Sequence, residues 1–325
     1  MKGIIDVATC FDAKALYGAA ALIASLRQHA HAARPVRLFA VTPYDSEELH
    51  CVARASKTAS FEVVVLPVAN PYADFPIREN ITATAYLRYR LPEILPDLTK
   101  VVYLDSDTVI NADLSPLFDT DVSGVPLAAV PDFAHLLGSR EWDRYRAVYE
   151  GKAYIFRDYI QEVLGIGNLD SFPYMNSGVL LINLDEWRER GLGRQVVSFL
   201  AEHRLKYPDQ DSLNRYVSGN FVRLDARWNA QAPCAKRRAR FLPKKLLGEK
   251  QVDDWAAIRD LWFCDPWIIH YAGANKPWIA RDPATPLDAI WWEFAAKSPL
   301  AGKIESDYLA ERRAANIPRS KVQRR

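Results

Sequence analysis

The chain has no glycine-rich phosphate loop. Neither G-x-G-x-x-G after the first apolar run nor G-x-x-x-x-G-K-[ST] anywhere is found, which excludes the dinucleotide-binding turn and the P-loop. Cysteine is scarce. Cys10, Cys51, Cys234 and Cys264 are the four present, with no C-x-x-C pair. This spacing excludes a zinc knuckle or a disulfide frame and suits reduced thiols. The apolar stretch 17–26 is too short for the roughly 20 residues that a helical membrane span needs. No targeting segment is apparent, because Met1-Lys2-Gly3 runs straight into the strand-like Ile4-Ile5-Asp6-Val7-Ala8. A cytoplasmic protein is therefore expected. No internal repeat or low-complexity tract stands out, and neither sign of charge dominates. A net charge of +2 is too small to select a class of partner.

What is present is an ordinary soluble composition of ample length. The 325 residues are 49% hydrophobic and 25% charged, enough for a sizeable core. Apolar runs at 4–8, 36–41, 61–66 and 101–104 alternate with helical patterns at 15–29, 46–55 and 83–91. Ser46 is placed to cap the second helix. Val- and Ile-rich strands separated by helices predict an α/β fold whose mostly parallel central sheet carries helices on both faces. Ligands in such sheets bind beyond the carboxyl ends of the strands. Further strand-like runs at 127–130, 178–182, 221–224 and 267–271 are spaced irregularly. The polar and aromatic stretches between them are expected to be loops built on the same sheet. The division expected is a catalytic domain over 1–282 and a helical, basic extension over 283–325.

Tyr103-Leu104-Asp105-Ser106-Asp107 ends an apolar strand in two carboxylates. Past the strand end both can turn to one point, where two hard oxygen donors suit Mg²⁺ or Mn²⁺ on a diphosphate. Taken alone, the pair is equally compatible with a capped turn. His270 also follows an apolar strand, in Ile268-Ile269-His270-Tyr271-Ala272-Gly273-Ala274-Asn275-Lys276-Pro277-Trp278. Imidazole as a third ligand moves the preference from Mg²⁺ toward Mn²⁺. Gly273 permits close backbone approach to a ligand, and Lys276 offers an ammonium to phosphate.

Four blocks occur in one order: Asp105-Ser106-Asp107, Asn176-Ser177-Gly178-Val179-Leu180-Leu181-Ile182-Asn183-Leu184, Asp209-Gln210-Asp211 and His270–Trp278. In this the chain, over about residues 4–280, resembles glycosyltransferase family 8, which includes bacterial lipopolysaccharide galactosyl- and glucosyltransferases and glycogenin. The resemblance implies a GT-A fold with a Rossmann-like nucleotide half and a retaining transfer of galactose or glucose from UDP-galactose or UDP-glucose. It implies that Asp105, Asp107 and His270 ligate Mn²⁺, with Mg²⁺ as the alternative ion. Gly273 and Lys276 would contact the diphosphate, and Ala8, Thr9 and Cys10 would lie near uracil and ribose. By the same resemblance Arg88 contacts donor sugar or phosphate, Ser106 and Ser177 flank the donor, and Asp132, Asn176, Asp209 and Gln210 line the donor sugar. Cys10-Phe11-Asp12-Ala13-Lys14 departs from the pattern. The family usually has an acidic or Asn residue followed closely by a Tyr that stacks on the base, and here Lys14 replaces it. Asp12 can still meet uracil or ribose, and Phe11 is the candidate for stacking.

The resemblance also implies that Gln210 stands where a nucleophile would be expected. A neutral amide oxygen is a poor nucleophile but can stabilise positive charge on the sugar, so same-face substitution with the β-phosphate as base is expected. Asp209 and Asp132 are the candidate carboxylates for a double displacement. The acceptor is expected to be a glycan or glycolipid, such as lipopolysaccharide or another cell-surface polysaccharide. Two basic groups are candidates for peripheral contact with an anionic membrane: Lys236, Arg237, Arg238, Arg240, Lys244 and Lys245, then Arg312, Arg313, Arg319, Lys321, Arg324 and Arg325. Nucleic acid is not expected, because no aromatic platform accompanies these charges. The competing readings are an inverting GT-A transferase or a sugar nucleotidyltransferase, and a catalytically silent nucleotide-sugar binding protein.

Overall fold

The computed structural model of the chain describes residues 3–77, 82–133, 146–167, 169–232, 249–274, 276–279 and 286–315. The strands are β1 (Ile5–Cys10), β2 (Val36–Thr42), β3 (Phe61–Pro67), β4 (Lys100–Leu104), β5 (Thr108–Ile110), β6 (Leu127–Pro131), β7 (Arg146–Tyr149), β8 (Lys152–Ile155), β9 (Met175–Asn183), β10 (Val222–Arg223), β11 (Ala230–Gln231) and β12 (Ile268–His270). Seven of them form the central sheet in the order β10-β6-β9-β4-β1-β2-β3. Only β9 runs against its neighbours, β4 and β6; the other pairings are parallel.

Alternate residues of each central strand feed one of two cores. Ala8, Cys10, Val101, Tyr103, Leu180 and Ile182 pack on one side. Ile5, Val7, Val102, Leu104, Val179 and Leu181 pack on the other. That is the period of two expected of a pleated strand, and because both faces are covered the strands read as unbroken apolar runs. Helix Leu16–His29 contributes Leu22, Ile23 and Leu26 to the second core. Helices Leu192–Glu202 and Pro208–Val217 contribute Leu192, Val196, Leu200, Leu213 and Val217 to the first. Ser46 caps helix Glu47–Ser56 as the sequence predicts, accepting the Leu49 N–H at 3.2 Å.

The structure corrects two expectations. Residues 83–91 do not form an α-helix: Ala83–Arg90 is 3₁₀, with a short α turn at Leu91–Ile94. Thr84, Tyr86 and Tyr89 give α-helix little intrinsic support. The run around His270 does not extend the central sheet. β12 lies in a separate three-stranded sheet, β11-β12-β5, antiparallel to β5 and parallel to β11. A three-residue strand carries too little pattern to name its neighbour.

Helices Pro286–Ala296 and Ala301–Ala315 follow. Leu287, Trp291, Phe294, Ala295 and Ile304 are buried in a third core with Ala20, Ala21 and Ala24 of helix Leu16–His29. Among the described residues no helix is long and apolar enough to cross a membrane. The basic residues 236–245 and 319–325 lie outside the described residues.

Candidate metal centre and the cavity beside it

β4 delivers Asp105 to its carboxyl end, and the turn into β5 delivers Asp107. β12 pairs with β5 in a register that sets His270 opposite Thr108, so the second sheet exists at the place where it brings the imidazole to the carboxylates. Backbone bonds fix the approach. The Asp105 N–H donates to Gly178 O at 2.8 Å and the Tyr271 N–H to Asp107 O at 2.9 Å. The Thr108 hydroxyl donates to Asp105 O at 2.8 Å. His270 Nε2 stands 3.4 Å from Asp107 Oδ1 and 3.8 Å from Asp105 Oδ2. One ligand atom from each of the three lies within 4.8 Å of the others. Two carboxylate oxygens and an imidazole nitrogen, at most a quarter exposed, are a donor set fit for Mn²⁺.

Each carboxylate has a cationic neighbour. Burial raises the Asp105 carboxyl above the ordinary range, the Arg88 guanidinium offsets part of that, and the nearby Asp107 charge adds to the rise. Burial also opposes the charge on Asp107, but Lys276 and His270 outweigh it and hold that carboxyl well below the usual range. The Lys276 ammonium donates to Asp107 Oδ2 and, at 2.8 Å, to Tyr271 O. Arg88 is 1% exposed and every guanidinium nitrogen is engaged. Nε donates to Ala85 O at 2.8 Å and Nη1 to Ser177 O at 2.8 Å. Nη2 meets Asp105 Oδ1 at 3.0 Å and Asp209 Oδ2 at 3.2 Å. The Tyr103 hydroxyl also donates to Asp105 Oδ1, at 2.7 Å, so this oxygen is taken and Oδ2 faces His270.

A cavity of about 620 Å³ opens beside these groups, lined in part by Cys10, Asp12, Lys14, Arg88, Asp105, Ser106, Asp107, Asp209, Lys276 and Trp278. Most of the residues the sequence singles out therefore meet in one place. Burial pushes the Cys10 thiol up to about 12, which leaves it a neutral S–H. Asp12 also caps the 3₁₀ turn at Ala13–Ala15, accepting the Lys14 N–H at 3.0 Å. Phe11 also lines the cavity. It is 2% exposed and packs with Leu16, Ala19, Ala40 and Leu49. Ala8 is in the core, and Thr9 Oγ1 is buried with no hydrogen-bond partner among the described residues. Gly273 has φ of +84°, and a Cβ there would meet nothing within 4 Å. What the protein itself requires of it is the left-handed backbone. Gly18 serves a close approach: a Cβ there would lie 2.6 Å from Ser106 O.

Asp132, Asn176 and Gln210 lie behind the cavity, nearly or fully buried. Gln210 Oε1 accepts from Asn176 Nδ2 at 3.0 Å and from the Ser177 N–H at 3.2 Å. Its Nε2 donates to Asp132 Oδ2 at 2.9 Å and to Tyr174 Oη at 3.0 Å. Ser177 Oγ donates to Asp209 Oδ2 at 3.3 Å. Asp211, in the first turn of helix Pro208–Val217, accepts from the Tyr159 and Tyr174 hydroxyls at 2.7 and 2.6 Å and from the Tyr207 N–H at 2.8 Å. Sequence reasoning passed over Asn229, Tyr103 and Tyr174. For Asn229 and Tyr174 nothing in the spacing marks them, because their roles depend on chain crossings that only the fold provides, whereas Tyr103 sits two residues before Asp105 and acts within the same strand end.

The sequence profile described as Glycosyl transferase family 8 matches residues 6–281. The chain is 29% identical over 205 residues to General stress protein A of Bacillus subtilis (strain 168), covering 61% of this chain and 60% of that protein. It is 27% identical over 314 residues to Probable galacturonosyltransferase-like 2 of Arabidopsis thaliana, covering 93% and 85%. Among solved structures, the apo form of the bifunctional glycosyltransferase WbbM superposes with a TM-score of 0.77 at 21% identity, over 94% of this chain and 52% of that one. The galactosyltransferase LgtC in complex with donor and acceptor sugar analogs gives 0.64 at 24% identity, over 91% and 96%. The chain thus spans about 60% of the Bacillus relative and about half of the WbbM chain.

Proposed function

The chain belongs to glycosyl transferase family 8 and has the GT-A fold of these structures, and from that premise we propose that it is a retaining hexosyltransferase. The donor proposed is UDP-galactose or UDP-glucose. The acceptor is a glycan or glycolipid, such as lipopolysaccharide or another cell-surface polysaccharide, and the ion is Mn²⁺. The observation that carries this reading is the convergence of Asp105, Asp107 and His270 from two different sheets, with Asp105 and Asp107 also lining the cavity. Bound there, a divalent cation offsets the charge that builds on a departing nucleoside diphosphate.

The chain's own residues have separable tasks in this proposal. Asp105 and Asp107 present oxygens and His270 presents Nε2. Lys276 stands in the cavity with its ammonium on Asp107, within the region a diphosphate would occupy, and shares its charge between the two. Arg88 binds Asp105 and Asp209 together and so keeps both carboxylates at fixed separation. Gln210 uses both acceptor positions and both donor hydrogens on protein partners. An amide oxygen already accepting two N–H bonds is a still weaker nucleophile than a free one. This supports same-face substitution, in which the leaving phosphate takes the acceptor's proton and the Gln210 amide contributes a fixed dipole.

Replacing Gln210 by Ala is expected to lower kcat by about 10²-fold while leaving measurable transfer. Mass spectrometry of a glycosyl-enzyme trapped on Asp209, Asp211 or Asp132 would overturn same-face substitution. The wider reading is tested by a hydrolysis screen of UDP-sugars with metal-stripped protein, with and without Mn²⁺. UDP-galacturonate belongs in the panel because of the name of the Arabidopsis relative. Turnover of UDP-galactose or UDP-glucose only with metal is expected. No metal-dependent turnover of any UDP-sugar would refute the proposal, and turnover of the uronate alone would reassign the donor.

A further inference from the structure

The backbone N–H groups of Ser177 and Gly178 can only donate, and this orients a chain of buried amides. The Gly178 N–H donates to Asn176 Oδ1 at 3.0 Å, so the Asn176 amide nitrogen points the other way, to Gln210 Oε1 and, at 3.4 Å, to Asp132 Oδ2. Both of those atoms are acceptors, which agrees with that orientation. Any further partner of Asn176 Oδ1 must therefore donate, and Asn229 Nδ2 does so at 2.8 Å. The Asn229 carbonyl oxygen is then the atom that faces His270 Nδ1, at 3.0 Å. An amide oxygen only accepts, so Nδ1 carries a hydrogen, and Nε2 is the ring nitrogen left to offer a lone pair to a cation held between Asp105 and Asp107.

Resting on the metal site proposed above, we infer that Asn229 is the positioning residue that sets the tautomer and the ring orientation of His270 for metal binding. Asn229 is fully buried, and it ends the short 3₁₀ turn Ala226–Asn229, which leads directly into β11, the neighbour of β12. Its place beside the imidazole is thus fixed by the same small sheet that carries His270. Outer partners of metal-bound histidines usually matter by about 10–100-fold in metal affinity. Asparagine does two things here, accepting from His270 and donating to Asn176, and two substitutions separate them. Asn229→Asp keeps an oxygen for the Nδ1 hydrogen and removes the donor to Asn176. Asn229→Leu fills a similar volume and removes both.

The test is Mn²⁺ binding to the full chain in the absence of any nucleotide, read from the free Mn²⁺ signal in electron paramagnetic resonance, with circular dichroism to confirm folding. Asn229→Leu is expected to raise the Kd for Mn²⁺ at least tenfold and Asn229→Asp to stay within threefold of wild type. Asn229→Ala replaces the Leu variant if that one does not fold. If wild type binds Mn²⁺ and the folded Leu or Ala variant binds it equally well, the positioning role is wrong while the metal site stands. If Asp weakens binding as much as Leu does, the acceptor role is likewise wrong. If wild type binds no Mn²⁺, the metal site itself fails.

Discussion

Asp107→Asn is expected to lower UDP-sugar turnover by on the order of 10³-fold, the largest single loss in this protein. The substitution is nearly isosteric, so the turn from β4 to β5 has no steric reason to change. What changes is charge. Asp107 Oδ1 lies 3.4 Å from His270 Nε2, and its Oδ2 takes the Lys276 ammonium. With Asn the site keeps one carboxylate in place of two, and the ammonium, already partly buried, loses its anionic partner. Both effects weaken cation binding and leave Lys276 as a fixed positive charge beside the remaining ligands. Steady-state assays across a wide Mn²⁺ range check this. Recovery of wild-type kcat at saturating Mn²⁺ would show that Asp107 contributes only affinity and would contradict the full effect.

Gly178→Ala is expected to disable the same centre by displacement. Gly178 sits in β9, where the backbone needs no special conformation, and space is what it supplies. A Cβ there would lie 2.2 Å from His270 Cε1, 2.8 Å from its Nδ1 and 2.9 Å from Asp105 Oδ2. None of these atoms can yield cheaply. The ring is held by Asn229 on one nitrogen, and Asp105 by Arg88 and Tyr103. A shift of about 1 Å in His270 follows, and misplacement of that size can cost about 10²-fold in turnover. Overpacking should also destabilise the fold by about 1–3 kcal/mol. Mn²⁺ titration and thermal melting on one preparation separate the two losses. A folded Gly178→Ala protein with wild-type Mn²⁺ affinity would show that the imidazole does not occupy this position when metal is bound.

Gly178 also marks where the sequence stops being informative. It stands inside an apolar run that reads correctly as a strand, and its neighbours Asn176 and Ser177 are legible as part of a recognisable block. That the glycine is there to leave room for an imidazole from residue 270 is visible only once β12 is seen crossing to β5. The α/β alternation was legible because β1, β2 and β4 are buried on both faces and need continuous apolar runs. The carboxylate pair was legible because polar residues at the end of such a run are conspicuous. The Gln210 amide was legible as a site candidate, but its four hydrogen bonds were not, since Asp132 and the run holding Tyr174, Asn176 and Ser177 are two stretches of chain far from it in sequence. Phe11 is legible as an aromatic residue next to the expected base site, and it does line the cavity, but its packing against Leu49 and Leu16 is visible only in the fold.

Equilibrium binding of Mn²⁺ to the metal-stripped wild-type chain and to its Asp107→Asn and His270→Ala variants tests the metal trio most directly. One Mn²⁺ per chain in wild type is expected, with affinity reduced at least tenfold in each variant. Wild-type binding left unchanged by both substitutions, or no binding to the wild-type chain at all, would contradict the assignment of Asp105, Asp107 and His270 as the metal centre.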